Sequence, residues 1–219
     1  MKPLSDCRLY AFVDMAFLRG RSPEALAQQL CEGGADLIQL RAKDSTPNEV
    51  RRMAKDLLRV TRKSNVGLVI NDHPAIACEL GADFCHLGQE DFFGAGYERA
   101  QQVLAGNGSS PDARKAGLGL STHAPAEAER AISAGADYIA IGPVYATGTK
   151  PEAKPVTLEY VRWAAAHVRT PWFVIGGINL GTLDAVLEAG ARRICVVSAI
   201  LNAEDVTAEC RKFKTRLSS

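Results

Sequence analysis

One short pattern occurs four times in this chain, and it constrains the fold more than any other feature. The four segments are EGGADLIQLR (32–41), ELGADFCHLG (79–88), SAGADYIAIG (133–142) and EAGARRICVV (188–197). In each of them a helical segment ends at a glycine, an alanine and a polar residue follow, and a short apolar strand begins. Glycine suits this place because it readily takes the left-handed conformation that closes a helix. The chain is therefore expected to be built from repeated helix–strand units.

The spacing of the repeat predicts how many strands there are. Its alanines, Ala35, Ala82, Ala136 and Ala191, follow one another at 47, 54 and 55 residues. A strand–helix unit needs only about 25 to 30 residues, so each period should contain a second strand. Apolar runs such as LYAFV and VGLVI lie midway and supply it. The predicted strands are 9–13, 36–40, 66–70, 83–87, 117–121, 138–141, 172–175 and 194–197.

Segments with helical periodicity separate these strands. Ser22 followed by Pro23 resembles a helix start, and Thr46 with Glu49 forms a capping-box pattern. The alternation predicts an α/β fold, a single (β/α)8 TIM barrel in which residues 1–219 form one domain. An open, doubly wound sheet is the competing fold, but no GxGxxG follows the first strand. The polar segment 105–117 precedes strand 5, so we expect it at the end of the barrel away from the chemistry.

Composition excludes several classes of protein. Lys plus Arg is 26 and Asp plus Glu is 25, a balance that argues against nucleic-acid binding and against a basic membrane-surface protein. No apolar run approaches the roughly 18 residues of a membrane span, and the first residues do not resemble a secretion signal. We therefore expect a cytoplasmic protein whose six cysteines are reduced packing residues.

Charged residues follow several of the predicted strands, where (β/α)8 barrels place their active sites. Asp72 and Asp91 are expected near a group of cations, Arg41, Lys43 and Lys150. Two carboxylates with cations indicate a divalent metal, with Mg²⁺ best suited, that bridges the carboxylates and phosphate oxygens. The alternative is that both aspartates simply cap helices.

A second candidate subsite follows strands 7 and 8. Gly176-Gly177 and Val197-Ser198 occupy the position where barrels often bind phosphate on backbone N–H groups. The alternative for the glycines is a plain turn. Thr147 and Thr149, after strand 6, either bind ligand or shape their loop. Two phosphate subsites predict a synthase that joins two phosphorylated substrates, with loss of diphosphate.

Taken in order, the motifs resemble those of the thiamine phosphate synthase (thiamine-phosphate pyrophosphorylase) family over essentially the whole chain. They are QLRAK (39–43), INDH (70–73), HLGQED (86–91), GLSTH (119–123), GPVYATGTK (142–150), VIGGI (174–178) and VVSAI (196–200). The resemblance implies a transferase of thiamine biosynthesis. It would condense hydroxymethylpyrimidine diphosphate with thiazole phosphate, carboxylated or not, and release diphosphate by a dissociative, Mg²⁺-assisted mechanism.

The resemblance also implies a role for individual residues. Contacts to the pyrimidine diphosphate would come from Gln39, Arg41, Lys43, Asn71, Ser121 and Lys150. Asp72 and Asp91 would hold Mg²⁺. The thiazole phosphate site would consist of Thr147, Thr149, Gly177, Val197 and Ser198. Lys43, Ser121 and Lys150 would be the catalytic residues.

Some positions depart from the family pattern. Ala42 stands where the family often has Glu, Thr157 replaces a frequent Gly, and the segment after Asp91, FFGAGYERA, is unusually aromatic. Two alternatives stay open: a thiazole tautomerase on the same barrel, and a non-catalytic phosphate-binding barrel. The expected partners are the two small-molecule substrates, with neither nucleic acid nor membrane, and a homo-oligomer is compatible with the sequence.

Overall fold

Eight parallel strands close into a barrel in chain order, with the last strand beside the first. The computed structural model describes residues 1–104, 116–146 and 154–218. The strands are β1 (Leu9–Asp14), β2 (Leu37–Arg41), β3 (Gly67–Asn71), β4 (Phe84–Leu87), β5 (Gly117–Thr122), β6 (Tyr138–Ile141), β7 (Trp172–Val174) and β8 (Ile194–Cys195). The predicted (β/α)8 barrel and its eight strands are confirmed, and an open sheet is excluded.

Helices surround the barrel. They are α1 (Pro23–Glu32), α2 (Pro47–Lys63), α3 (Pro74–Leu80), α4 (Ala100–Leu104), α5 (Pro125–Ser133), α6 (Thr157–His167), α7 (Leu183–Glu188), α8 (Ser198–Leu201) and α9 (Val206–Ser218). The predicted capping box of α2 is confirmed, because the side chains of Thr46 and Glu49 each accept a backbone N–H of the other residue. Most of the polar segment 105–117 lies outside the described residues, so its predicted place is untested.

The repeat that predicted the strands has a clear backbone role. Its glycines, Gly34, Gly81, Gly135 and Gly190, all have positive φ, between 63° and 103°. This conformation is strained for residues with a Cβ but accessible to glycine. The glycines therefore end one helix and turn the chain into the next strand, as the sequence predicted.

The aspartates of the repeat tie neighbouring strands together at the end of the barrel where the strands begin. In three of the four copies, the carboxylate accepts a backbone N–H at the start of the preceding strand. These bonds run from Leu9 to Asp36 (2.9 Å), from Leu68 to Asp83 (3.0 Å) and from Leu118 to Asp137 (2.7 Å). The fourth copy has Arg192 at this position. The repeat thus fixes the register of β1, β3 and β5 as well as the turns.

Apolar side chains fill the space between strands and helices, and a layer of aromatic rings lies inside the barrel. Tyr10, Tyr138 and Phe173 contact one another edge to face, with ring centroids 5.4 to 6.0 Å apart. All six cysteines are free thiols, and all but Cys31 are buried. None of the described helices has the length and apolar character needed to cross a membrane.

Substitution of Asp36 would test whether the hydrogen bonds between the aspartates of the repeat and neighbouring strands stabilise the barrel. Asp36 is 6% exposed, and the ammonium groups of Lys2 and Lys214 both lie 2.5 Å from its Oδ1. Burial alone would raise the pKa of this carboxyl, but the two lysines and the N–H groups of Arg8 and Leu9 lower it below its ordinary value. A carboxyl whose pKa is lowered by folding stabilises the folded state above its unfolded pKa.

We predict that Asp36→Asn lowers the free energy of unfolding by about 3 kcal/mol at pH 7, because it removes charge-assisted hydrogen bonds from a buried site. The difference from the unsubstituted chain should persist down to the unfolded pKa, about 3.9. It should shrink as the pH falls further through the lowered pKa. Urea unfolding across this pH range measures it, with the exposed Asp44→Asn as control. Equal losses in the two variants would contradict the assigned role.

Candidate active site

A single cavity at the C-terminal ends of the strands receives side chains from around the whole barrel. Every predicted site residue in the described ranges lines it, namely Gln39, Arg41, Lys43, Asn71, Asp72, Asp91, Ser121, Gly177, Val197 and Ser198. Three further predicted residues, Thr147, Thr149 and Lys150, lie outside the described residues. The barrel therefore brings together residues that are up to 159 positions apart in the sequence.

Arg41 is held in place by an aspartate that was not among the predicted site residues. It lies at the end of β2, within the strand rather than after it, and pairs in register with Asp14 at the end of β1. Its Nη1 lies 2.7 Å from Oδ2 of Asp14, which is 1% exposed and also accepts the N–H of Ala16. A signal was present, since Asp14 ends an otherwise apolar strand next to the strand of Arg41.

Asp72 follows β3 directly and does not cap a helix. Its backbone has φ of 62°, which is uncommon for a residue with a Cβ, and its N–H donates to the carbonyl oxygen of His86 at 3.0 Å. Helix α3 begins at Pro74, with His73 at the N-cap. The capping interpretation is therefore wrong for Asp72.

The surroundings of Asp72 disfavour the ionised form of its carboxyl group. Burial raises the pKa of this carboxyl, and the charge of Asp91 raises it further. Lys43, His73 and Arg41 act in the opposite direction, but the pKa stays above its ordinary value. A bound cation would remove this penalty, because positive charge next to the two carboxylates favours their ionised forms.

Asp91 lies in a π-helical turn, Glu90–Gly94, and not at the start of α4, so the capping interpretation is wrong here too. One carboxylate oxygen accepts the N–H of Gly88 at 3.3 Å. A Cβ at Gly88 would lie 2.8 Å from that oxygen, so a side chain at this position would displace the carboxylate.

Two aromatic residues that follow Asp91, Phe92 and Phe93, pack against the rest of the protein and hold this turn in place. Phe92 is fully buried, and the ring of Phe93 lies under the guanidinium of Arg130, 3.7 Å from its centroid. The two rings also contact each other edge to face at 4.8 Å. In the described structure these rings anchor the segment that presents Asp91.

The second predicted subsite lies across the mouth, because β7 and β8 are opposite β3 and β4 in the strand order. Gly177 has φ of 65°, and a Cβ there would lie 2.7 Å from the Cβ of Tyr145. The glycine is therefore required for contact with the segment after β6, a reason that the sequence analysis did not include. Ser198 begins the short helix α8, directly after Val197.

Ser121 and Gln39 lie within their strands, β5 and β2, and contact polar groups inside the barrel. Ser121 Oγ lies 3.0 Å from Nε2 of His86, whereas His123 instead contacts Glu127. Gln39 donates from Nε2 to the hydroxyl of Tyr10 at 2.6 Å. His86 and Tyr10 had no predicted role, although a polar residue inside an apolar strand is a visible signal in the sequence.

The two aspartates suit a hard divalent cation, which prefers oxygen ligands. Within residues 1–104, 116–146 and 154–218, no group of three or more His, Cys, Asp or Glu side chains is arranged to hold a metal. An ion held by Asp72 and Asp91 could take further ligands from substrate or water. Magnesium commonly binds phosphorylated substrates in this way.

Comparison with known proteins adds an independent line of evidence. A model of the thiamine monophosphate synthase family matches residues 9–200. A thiamine-phosphate synthase of Thermus thermophilus is 44% identical over 198 residues, 90% of this chain and 87% of that protein. One from Halalkalibacterium halodurans is 39% identical over 215 residues, 98% and 97% of the two chains.

A solved structure agrees with these relatives. Thiamine phosphate pyrophosphorylase from Pyrococcus furiosus superimposes with a TM-score of 0.83 at 28% identity, covering 97% of this chain and 96% of the other. The match extends over the complete barrel and therefore over all the strands that line the cavity. From its sequence and its fold, the chain belongs to the thiamine monophosphate synthase family.

Proposed function

We propose that this chain is a thiamine-phosphate synthase that joins an aminopyrimidine methyl diphosphate to thiazole phosphate. The observation that supports this most strongly is the division of one cavity into two unlike halves. Asp72, Asp91, Arg41 and Lys43 form one half, and Gly177 with Ser198 forms the other. Such a cavity suits two phosphorylated substrates that react with each other between the two halves.

The reaction forms one bond and breaks one. The C–O bond between the pyrimidine methylene and diphosphate breaks, and its electron pair leaves with the diphosphate. The thiazole nitrogen then gives its lone pair to the methylene carbon, which produces the thiazolium product. No proton is transferred in either step, so the site needs charge stabilisation more than a general base.

Arg41 and Lys43 would stabilise the negative charge that develops on the departing diphosphate, together with Lys150. Arg41 is suited to this because its bond to the buried Asp14 fixes the guanidinium before substrate arrives. Preorganised charge stabilises a transition state without the cost of reorientation. Asn71, at the end of β3, would contact the same substrate.

Asp72 and Asp91 would hold a Mg²⁺ ion on the diphosphate side of the cavity. Bound there, the ion would supply positive charge next to the leaving group. The pKa of Asp72, raised by burial and by Asp91, supports this because a cation relieves the repulsion between the carboxylates. Asp72 and Asp91 do not cap α3 or α4, so helix capping does not account for the two carboxylates.

The other half of the cavity would bind the thiazole phosphate through Ser198 and the backbone at Gly177 and Val197. Thr147 and Thr149 are proposed to complete this half. Ser121 would contact the pyrimidine from inside the barrel. Release of diphosphate from the aminopyrimidine diphosphate, with and without thiazole phosphate, tests the proposed reaction, which an isomerase or a binding protein would not perform.

We predict that Asp72→Asn lowers turnover by about a hundredfold or more, the scale on which one electrostatic stabiliser acts. Initial rates at saturating magnesium measure the effect. Asp56→Asn is the matched control, because Asp56 is also partly buried but pairs with Arg59 on α2, outside the cavity. Near-normal turnover of the Asp72 variant in the presence of a chelator would contradict the metal role.

We also predict that Ser198→Ala weakens binding of thiazole phosphate by about 10- to 100-fold, because a hydrogen bond to a charged group contributes about 1.5 to 3 kcal/mol. Binding of the pyrimidine diphosphate should change by no more than a few-fold, since the two halves lie on opposite sides of the barrel mouth. Calorimetric titration of each substrate measures both, with the exposed Ser133→Ala as control. A larger effect on the pyrimidine diphosphate would reverse the assignment of the halves.

A further inference from the structure

A continuous chain of hydrogen bonds crosses the interior of the barrel and joins two residues that line the cavity, Gln39 and Ser121. Gln39 Nε2 lies 2.6 Å from the hydroxyl of Tyr10, which lies 2.9 Å from the hydroxyl of Tyr138. Tyr138 in turn lies 3.1 Å from Nδ1 of His86, whose Nε2 lies 3.0 Å from Oγ of Ser121. The chain thus has four links, and each link needs one proton.

The two tyrosines are in a setting that keeps them neutral. Burial raises the pKa of both Tyr10 and Tyr138 well above 10. Each hydroxyl therefore contributes one proton and accepts another. Because both hydroxyls are buried, a proton without an acceptor would be costly, so the arrangement with one proton in every link is strongly favoured.

Only one direction of donation satisfies this condition with the Gln39 amide oriented as it is. Gln39 donates to Tyr10, which donates to Tyr138, which donates to Nδ1 of His86. Nε2 of His86 then carries the proton and donates to Ser121. In this direction, Ser121 can donate its hydroxyl proton to a ligand, and the amide oxygen of Gln39 can accept a hydrogen bond from one.

The reverse direction is possible only if every member changes together. The Gln39 amide would have to rotate, both tyrosine hydroxyls would have to turn, and His86 would have to change tautomer. Gln39 would then offer N–H groups to the ligand, and Ser121 would offer a lone pair. The donor or acceptor character of these two residues is therefore coupled through the barrel.

Packing holds the middle of the chain rigidly. The ring of Tyr138 lies over Gly119 of the neighbouring strand, where a Cβ would come within 2.1 Å of its Cζ. Phe173 contacts the rings of both tyrosines. The ring of His86 stacks on Tyr138 at 5.6 Å between centroids. Tight packing leaves the hydroxyls few other partners.

We propose that Tyr10, Tyr138 and His86 are positioning residues that couple the orientation of Gln39 to that of Ser121, and that the direction of donation described above selects an aminopyrimidine over its oxo analogue. An aminopyrimidine presents an N–H donor beside a ring nitrogen acceptor, which matches the oxygen of Gln39 and the hydroxyl proton of Ser121. The oxo analogue presents the opposite pair. This inference rests on the proposed function, since it concerns the pyrimidine substrate of the same cavity.

The test compares kcat/KM for the aminopyrimidine methyl diphosphate with that for the analogue in which an oxo group replaces the amino group. We expect the unsubstituted enzyme to prefer the amino compound by about 100-fold or more, since paired buried groups reject mismatched ligands strongly. Tyr138→Phe keeps the ring but cuts the chain, so each half can reorient alone. The preference should fall by about tenfold or more, while the KM for thiazole phosphate stays within a few-fold.

Tyr160→Phe is the matched control. Tyr160 is 5% exposed and its hydroxyl donates to Thr122 at 2.8 Å, so this variant also loses a buried hydrogen bond but outside the chain. Its preference should equal that of the unsubstituted enzyme. If Tyr138→Phe does not fold, Tyr10→Phe cuts the chain one link further along and should lower the preference in the same way.

Three outcomes would overturn the proposal. The first is an unchanged preference in a folded Tyr138→Phe or Tyr10→Phe variant. The second is an equal loss of preference in Tyr160→Phe, which would show general loosening instead of a broken chain. The third, an unsubstituted enzyme that does not convert the aminopyrimidine diphosphate at all, would also overturn the proposed function, whereas the first two leave that function intact.

Discussion

Closure of eight parallel strands is the constraint on which the rest of this structure depends. It brings the C-terminal end of every strand to one rim, so residues from 10 to 198 line one cavity. At the opposite end, where the strands begin, hydrogen bonds fix the register of neighbouring strands. There Asp36, Asp83 and Asp137 bind backbone N–H groups of neighbouring strands. Stability and chemistry are therefore separated along the barrel axis, as in other (β/α)8 barrels.

The rim contains features that a chain selected only for stability would avoid. Asp72 has a positive φ, is partly buried, and has its pKa raised by burial and by Asp91. Arg41 is fixed by a nearly inaccessible Asp14. Unfavourable electrostatics and strained backbone at one place are typical of functional sites. Both features are understandable if a cation and a diphosphate complete the site.

Local patterns in the sequence were sufficient to predict the barrel, because they depend on residues close together in the chain. The Gly-Ala repeat and the capping box of α2 are such patterns, and the positive φ of the repeat glycines agrees with them. Resemblance to the family extended the prediction to the lining of the cavity. Neither source of information contains the contacts between strands.

The partners that the sequence did not reveal all lie far away in the chain. Asp14 contacts Arg41 across 27 residues, and Tyr10 contacts Tyr138 across 128. A polar residue in an apolar strand marks Asp14 and Tyr10 in the sequence, but only the register of the strands decides which residues they contact. The need for glycine at 177 has the same origin, because it depends on Tyr145 of a different loop. Such constraints become visible only when the barrel is closed.

We propose that the carboxylate and cation half of the cavity breaks the C–O bond of the diphosphate before the thiazole attacks. Positional isotope exchange tests it most directly. Aminopyrimidine methyl diphosphate labelled with ¹⁸O at the bridging C–O–P oxygen would be incubated with enzyme and magnesium in the absence of thiazole phosphate. We expect the label in recovered substrate to spread into the non-bridging oxygens of the same phosphate. Label that stays in the bridging position would contradict the account.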